Sequence, residues 1–284
     1  MARMEVEARA RTIQRLIQTI KTGNSNKIQS QVNEQHQRVL HTHDTCAQSF
    51  RTYWNNERVT QTNENGGIRW LFLGEAPPLQ SNKITYLYHN VDDDPNYSGR
   101  FITAATGLFG HTGTGQGSDK AAAVQVLFEN QCLLLDMIPL SLNYEGVRGS
   151  FTYRFLLEDV HVRLRSLFMT LGLTVHPEAR VMYVYNKIGQ VASNVFDSHP
   201  LVLPINKTQN LIVNTHADCT VDRSAHGASK SGFPTAKSFA TCAKMPRPHG
   251  KIQNGQKKRT ISDFFATPVI NGGSKGKKVK KYSK

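Results

Sequence analysis

Hydrophobic positions along this chain fall into four short runs set among longer periodic stretches. The runs are RWLFLG at 69–74, CLLLDM at 132–137, RVMYVY at 180–185 and LIVNT at 211–215. Each is too short to form the apolar face of a core helix, and none alternates cleanly. That is the pattern of strands in a sheet covered on both sides. Between them the spacing predicts helices over 118–129, with Ser118 and Asp119 as caps, over 150–172 and over 186–196; another follows Pro234 at about 234–244. Strand–helix alternation predicts an α/β fold: a three-layer sandwich around a central four-stranded, mainly parallel sheet. At the amino end, residues 4–21 read as an amphipathic helix ended by Gly23, and a polar helix follows at about 28–40. The Asn-, Thr- and His-rich stretch 41–67 reads as mostly loop.

Sites in such folds lie at the carboxyl ends of the strands. Four polar residues fall there: Glu75, Asp136, Asn186 and His216. GEAPP follows the first strand directly, so Gly74 and the prolines form a tight turn that aims backbone amides and Glu75 into a cleft. Asp136 ends a buried strand with no basic neighbour in sequence. It is either a carboxylate that caps a local turn or one that accepts a hydrogen bond from a ligand. His216 follows LIVNT in the same manner and suits a developing anion; His226 is its competitor. Phe101, behind Gly99, is either a core residue or a platform for a planar ring.

Charge then changes the picture. The formal net charge is +14 across 284 residues, and residues 245–284 carry eleven Lys or Arg against one Asp, so this tail alone holds +10. A polyanion is the simplest partner for that asymmetry. The chain divides into N-terminal helices and polar loop at 1–67, an α/β domain at 68–245 and a basic tail at 246–284. The tail lacks the apolar content to offset its ordering entropy and is expected to be disordered. One hydrophobic island interrupts it, KKRTISDFFATP at 257–268, where Ile261, Phe264 and Phe265 share one side of a helical turn. An aromatic pair in a polar tail has no core to serve and reads as a docking peptide. KGKKVKK at 275–281 reads as a nuclear-targeting or nucleic-acid-binding cluster. Cys46, Cys132, Cys219 and Cys242 form no CxxC pair, which predicts reduced thiols and no metal centre or other cofactor. No signal-peptide pattern or membrane-length apolar run is seen, so a soluble intracellular protein is expected.

Taken in order, these motifs resemble the uracil-DNA glycosylase superfamily over roughly 68–245. WLFLGEAPP resembles its water-activating loop, and GRF at 99–101 its base-stacking segment. CLLLDMIPLSLN resembles the strand that reads the base edge, LIVNTHADCTVDRSAHG the late histidine loop, and GFPTAKSFATCAKM the terminal helix. The resemblance implies a monomeric enzyme that hydrolyses the N-glycosidic bond of a flipped base. Phe101 would stack the base and His216 would stabilise the anion at base O2. Glu75 would act on water or on the oxocarbenium ion, with Ala76 and Asp136 contacting the base. Gly74, Pro77, Asp218 and Ser224 would meet the DNA backbone. The tail peptide resembles those by which repair proteins bind the sliding clamp, with Lys258 where Gln is usual, and implies the nucleus or the replication compartment of an archaeon or large DNA virus.

This chain departs from the family where mechanism is decided. Ala76 stands where the most efficient members carry a water-positioning Asp, and Glu75 is its neighbouring substitute. Members with GEAP-type turns often hold an iron–sulfur cluster, and no matching cysteine set is present. Ala217-Asp218 replaces the typical Pro-Ser, and Asp218 would repel phosphates. Asp136 replaces the usual Asn. An ionised Asp only accepts, so it would meet uracil O4 acceptor to acceptor, at a cost of about 1–3 kcal/mol, up to roughly a hundredfold in rate. The expectation is a bias away from uracil toward a base with an exocyclic amine, whereas a protonated Asp136 would mimic Asn. A non-catalytic, clamp-associated DNA-binding factor is the alternative, and a small-ligand enzyme of the same architecture is a third.

Overall fold

The computed structural model describes residues 13–23, 25–77, 84–92, 102, 105–107, 109, 120–148, 150–184 and 186–213. The first helix, α1, covers 13–22 and buries Ile13, Leu16, Ile17 and Ile20, the i, i+3, i+4, i+7 stripe of an amphipathic helix. Helix α2 spans Asn26–Tyr53, with a kink at Gln35, and α3 spans Asn56–Glu64. The expectation of loop over most of 41–67 is therefore corrected. Helix α2 keeps its buried stripe past residue 40 through Thr42, His43, Cys46, Phe50 and Tyr53. Because Thr and His fill two of those positions, the stripe reads as polar in sequence. Asn55 then caps α3, its side chain accepting from Arg58 N at 3.0 Å.

Strand β1 (Ile68–Gly74) lies between β2 (Cys132–Asp136) and β3 (Val175–Tyr183), and both pairings are parallel. Trp70, Leu71, Phe72 and Leu73 are all buried, so both faces of β1 are covered, as its continuous apolar run predicts. The order β2–β1–β3 needs long crossovers. Helix α4 (Lys120–Glu129) lies on the first, and α5 (Phe151–Glu158) and α6 (Val160–Leu171) on the second. The helix expected over 150–172 is thus two helices, divided at Asp159. Ser150 caps α5 by accepting from Tyr153 N at 3.2 Å, and Gly172 ends α6 in the left-handed region.

Among the described residues the fourth apolar run does not extend this sheet. After α7 (Asn186–Ser198), β4 (Leu201–Pro204) and β5 (Asn210–Val213) form a separate antiparallel pair. Chain length decides the direction. Only residues 205–209 join the two strands, and a parallel return needs a crossover of about a dozen residues or more. Asn206 closes the turn, accepting from Thr208 N and Gln209 N at 2.9 Å each. The protein is an α/β fold with a three-stranded parallel sheet and a two-stranded antiparallel one.

A single hydrophobic core runs from Ile13 in α1 to Val213 in β5, so the amino-terminal helices share the core of the sheet. Among the described strands β2 is an edge, and the 84–92 segment covers it. The Tyr88 hydroxyl accepts from Leu134 N at 3.0 Å and donates to Leu134 O at 3.3 Å, taking the place of a neighbouring strand.

Candidate functional site

Parallel register brings the strand ends together. Gly74 pairs with Asp136, and hydrogen bonds continue past the strands from Met137 N to Gly74 O (2.9 Å) and from Ile138 N to Glu75 O (2.8 Å). On the other side Val184 N donates to Leu73 O at 2.9 Å. The exits of β1 and β2 are thus one continuous surface, with Glu75 and Asp136 on adjacent strands. Gly74 is required here. A Cβ at this position would lie 2.5 Å from Asp136 Oδ1, which shows that the Asp136 carboxyl folds back against the end of β1.

The two carboxylates meet different surroundings. Glu75 Oε1 accepts from Arg148 Nε at 2.6 Å and from the Tyr153 hydroxyl at 2.8 Å, while Arg148 Nη2 donates to Oε2 at 2.5 Å. Arg148 belongs to the loop after β2 and Tyr153 to α5, so the Glu75 side chain ties the turn after β1 to the segment that follows β2. Behind it the Tyr144 and Tyr153 rings meet edge to face at 5.6 Å. Burial and the Glu75 charge hold both phenols protonated, well above the ordinary tyrosine range. A water-activating role asks Glu75 for free acceptor capacity, and most of that capacity is taken.

Asp136 is partly buried and sits deep in the molecule. Among the described residues, no side chain donates to its carboxyl or pairs with it. Burial, and secondarily the Glu75 charge, push it up to about 7. Cys46 of α2 is pushed up to about 12 by burial, with the Asp136 charge adding to the effect. Tyr86 is likewise raised by burial first and then by Asp136. Behind the exit of β2, Arg163 of α6 donates through Nη2 to the carbonyls of Met137 and Leu156. Its Nη1 is buried without a partner among the described residues, and burial lowers the guanidinium to about 10.

Of the residues singled out in sequence, Gly74, Glu75, Ala76, Pro77 and Asp136 lie together at this end of the sheet. Ala76 is half-buried against the core, Pro77 is buried, and Asn186 opens α7. Phe101, His216, Asp218 and Ser224 lie outside the described residues, as do Lys258, Ile261, Phe264 and Phe265 of the tail peptide. Sequence reasoning passed over Arg148, Tyr153, Cys46 and Tyr86. No local motif marks any of them, because each reaches the site through the tertiary fold. An open groove of about 480 Å³ elsewhere is lined by Ser49, Tyr53, Arg58, Tyr88 and His89 among others, and none of the strand-end residues borders it. Among the described residues no cluster of His, Cys, Asp and Glu could hold a metal ion. The chain matches no protein-family model, no curated protein and no solved structure.

Proposed function

We propose that the protein is a DNA glycosylase of the uracil-DNA glycosylase type, which hydrolyses the N-glycosidic bond of a base flipped out of DNA. The observation that carries this reading is the Gly74–Asp136 register, which sets the GEAPP turn and the acidic end of β2 side by side at the carboxyl edge of a parallel sheet. An extrahelical base entering there meets Asp136 with its hydrogen-bonding edge, and Phe101 stacks on its face. Breaking the glycosidic bond leaves positive charge on the sugar and negative charge on the base. His216 stabilises the departing anion at O2, and the Glu75 carboxylate, tempered by Arg148, faces the sugar. Ionised, Asp136 opposes uracil O4 acceptor to acceptor and accepts from an exocyclic amine at that position, which biases the enzyme away from uracil and toward an edge that offers N–H donors. The basic tail adds salt-sensitive, sequence-independent affinity, and the 257–268 peptide docks on a sliding clamp.

A base-release assay tests this on single-stranded and duplex oligonucleotides carrying one uracil, cytosine, 5-methylcytosine, hypoxanthine or adenine, with alkali cleavage of abasic sites. Release of an amino-bearing base, abolished by His216→Ala, is the expected result. One observation favours a second reading, a DNA-binding factor without chemistry. Arg148 and Tyr153 occupy most of the Glu75 carboxylate, and Ala76 offers no replacement. Silence across the whole panel with DNA still bound would select that reading.

A further inference from the structure

An interior carboxyl group with no cation and no hydrogen-bond donor is unstable as an anion. It persists by holding its own proton or by waiting for a ligand to satisfy it. Among the described residues Asp136 is such a group, and the buried ammonium of Lys120 in α4 is engaged with the carbonyls of Tyr86 and His89. Glu75 at the end of β1 is negative, and its cation, Arg148, is engaged with it. From α2 the neighbour is Cys46 and from the 84–92 segment it is Tyr86; both are held protonated, the thiol near 12 and the phenol well above its ordinary range. Resting on the reading that a base enters at this edge, we propose that Asp136 is a proton-dependent specificity residue, reading an imide edge as a neutral acid and rejecting it as an anion.

The hydrogen-bond inventory gives the rule. A neutral carboxyl carries one O–H donor and one carbonyl acceptor. It fits an edge that offers one acceptor and one N–H, as uracil does through O4 and N3–H. The anion offers two acceptors and fits an edge with two adjacent N–H donors. Facing uracil it gains one hydrogen bond and opposes O4. A group that titrates at about 7 holds both states near neutrality, so ligand choice becomes a function of pH. Because an imide ligand selects the neutral acid, its binding above that pH draws one proton from solvent.

The test is binding rather than turnover. The full chain is titrated with an oligonucleotide carrying one 2′-fluoro-2′-deoxyuridine, whose electron-withdrawing fluorine opposes bond cleavage. The same oligonucleotide with an abasic-site analogue is the reference. Relative to it, uridine affinity should fall about tenfold per pH unit above about pH 7, with uptake of one proton read by calorimetry in buffers of different ionisation enthalpy. Asp136→Asn should remove both effects and hold affinity level across pH. In parallel, carboxyl ¹³C shifts of labelled aspartates should show one group titrating near neutrality, absent from Asp136→Asn or, if that variant fails to fold, from Asp136→Leu. Uridine preference with a level pH profile, or an Asp136 carboxyl titrating below pH 5, overturns the inference and leaves the functional reading standing. A carboxyl titrating near neutrality with no uridine preference at any pH overturns the inference as well, while the functional reading falls only if the base-release panel is silent.

Discussion

The exits of β1 and β2 are neighbours in register and opposites in chemistry. Glu75 after β1 is enclosed by Arg148 and Tyr153, three hydrogen bonds on one carboxylate. Asp136 ending β2 has none from a described side chain. The first arrangement holds two loops in place; the second leaves a carboxyl ready for exchange with whatever arrives. Two acids at adjacent strand ends therefore divide the work, and a charge on one raises the cost of a charge on the other.

The largest effect should come from opening the braced side. In Arg148→Met the Glu75 carboxylate is left partly buried, with Tyr153 its one remaining donor among the described residues. Breaking such a pair from one side typically costs about 3–5 kcal/mol, and the side chains are 19% and 15% exposed, which places the expectation near the lower end. Urea unfolding reads the loss. Glu75→Gln added to Arg148→Met should recover part of it, because the unpaired charge is then gone. Full additivity of the two substitutions would contradict the brace.

How much of this contrast was legible in the chain depends on which residues carry it. The runs at 69–74 and 132–137 gave β1 and β2 nearly to the residue, because buried parallel strands are written as uninterrupted apolar stretches. The turn glycine and both acids follow directly from where those runs stop. Nothing local marks Arg148, which comes 73 residues after Glu75 and meets it only through the crossover between the strands. The fold was misread where polar residues occupy buried positions, as at Thr42 and His43 in α2. It was also misread at 211–215, expected as a fourth strand of the parallel sheet, whose described residues instead pair antiparallel with an unpredicted strand at 201–204 across the short connection 205–209. Periodicity reports burial, and it is silent on partners.

A second, smaller effect should appear at the edge of β2, which determines where Asp136 sits. Tyr88→Phe removes the hydroxyl that serves both Leu134 N–H and Leu134 C=O. Each backbone group left unsatisfied costs about 1–3 kcal/mol unless water reaches it, so a net loss of about 2 kcal/mol is expected by urea or thermal unfolding. Amide exchange at Leu134 should quicken more than exchange in β3. Unchanged protection at Leu134 would show that the edge is covered by something other than Tyr88.

The smallest effect is on stability and concerns the open side. The Asp136 carboxyl titrates at about 7 in the folded protein, against an ordinary value of 3.8. Between those values the folded chain holds a proton that the unfolded chain has released, so stability falls as pH rises through that window and levels off above it. Asp136→Asn has no proton to lose. Relative to wild type it should gain stability from about pH 4 upward; the full window corresponds to about 4 kcal/mol, and solvent screening of this partly exposed carboxyl reduces the expected gain to about 1–2 kcal/mol at pH 8, vanishing in acid. Cys46 gives an independent reading of the same charge, since the Asp136 anion adds to the burial that holds its thiol at about 12. In Asp136→Asn, alkylation of Cys46 in the native protein at pH 9, followed by mass spectrometry, should quicken by less than about tenfold, the equivalent of one unit in the thiol. A stability difference that is level with pH would mean that Asp136 titrates as in the unfolded chain, and unchanged Cys46 labelling would mean that its charge does not reach the thiol; with both outcomes the contrast between the two strand exits would be one of packing alone.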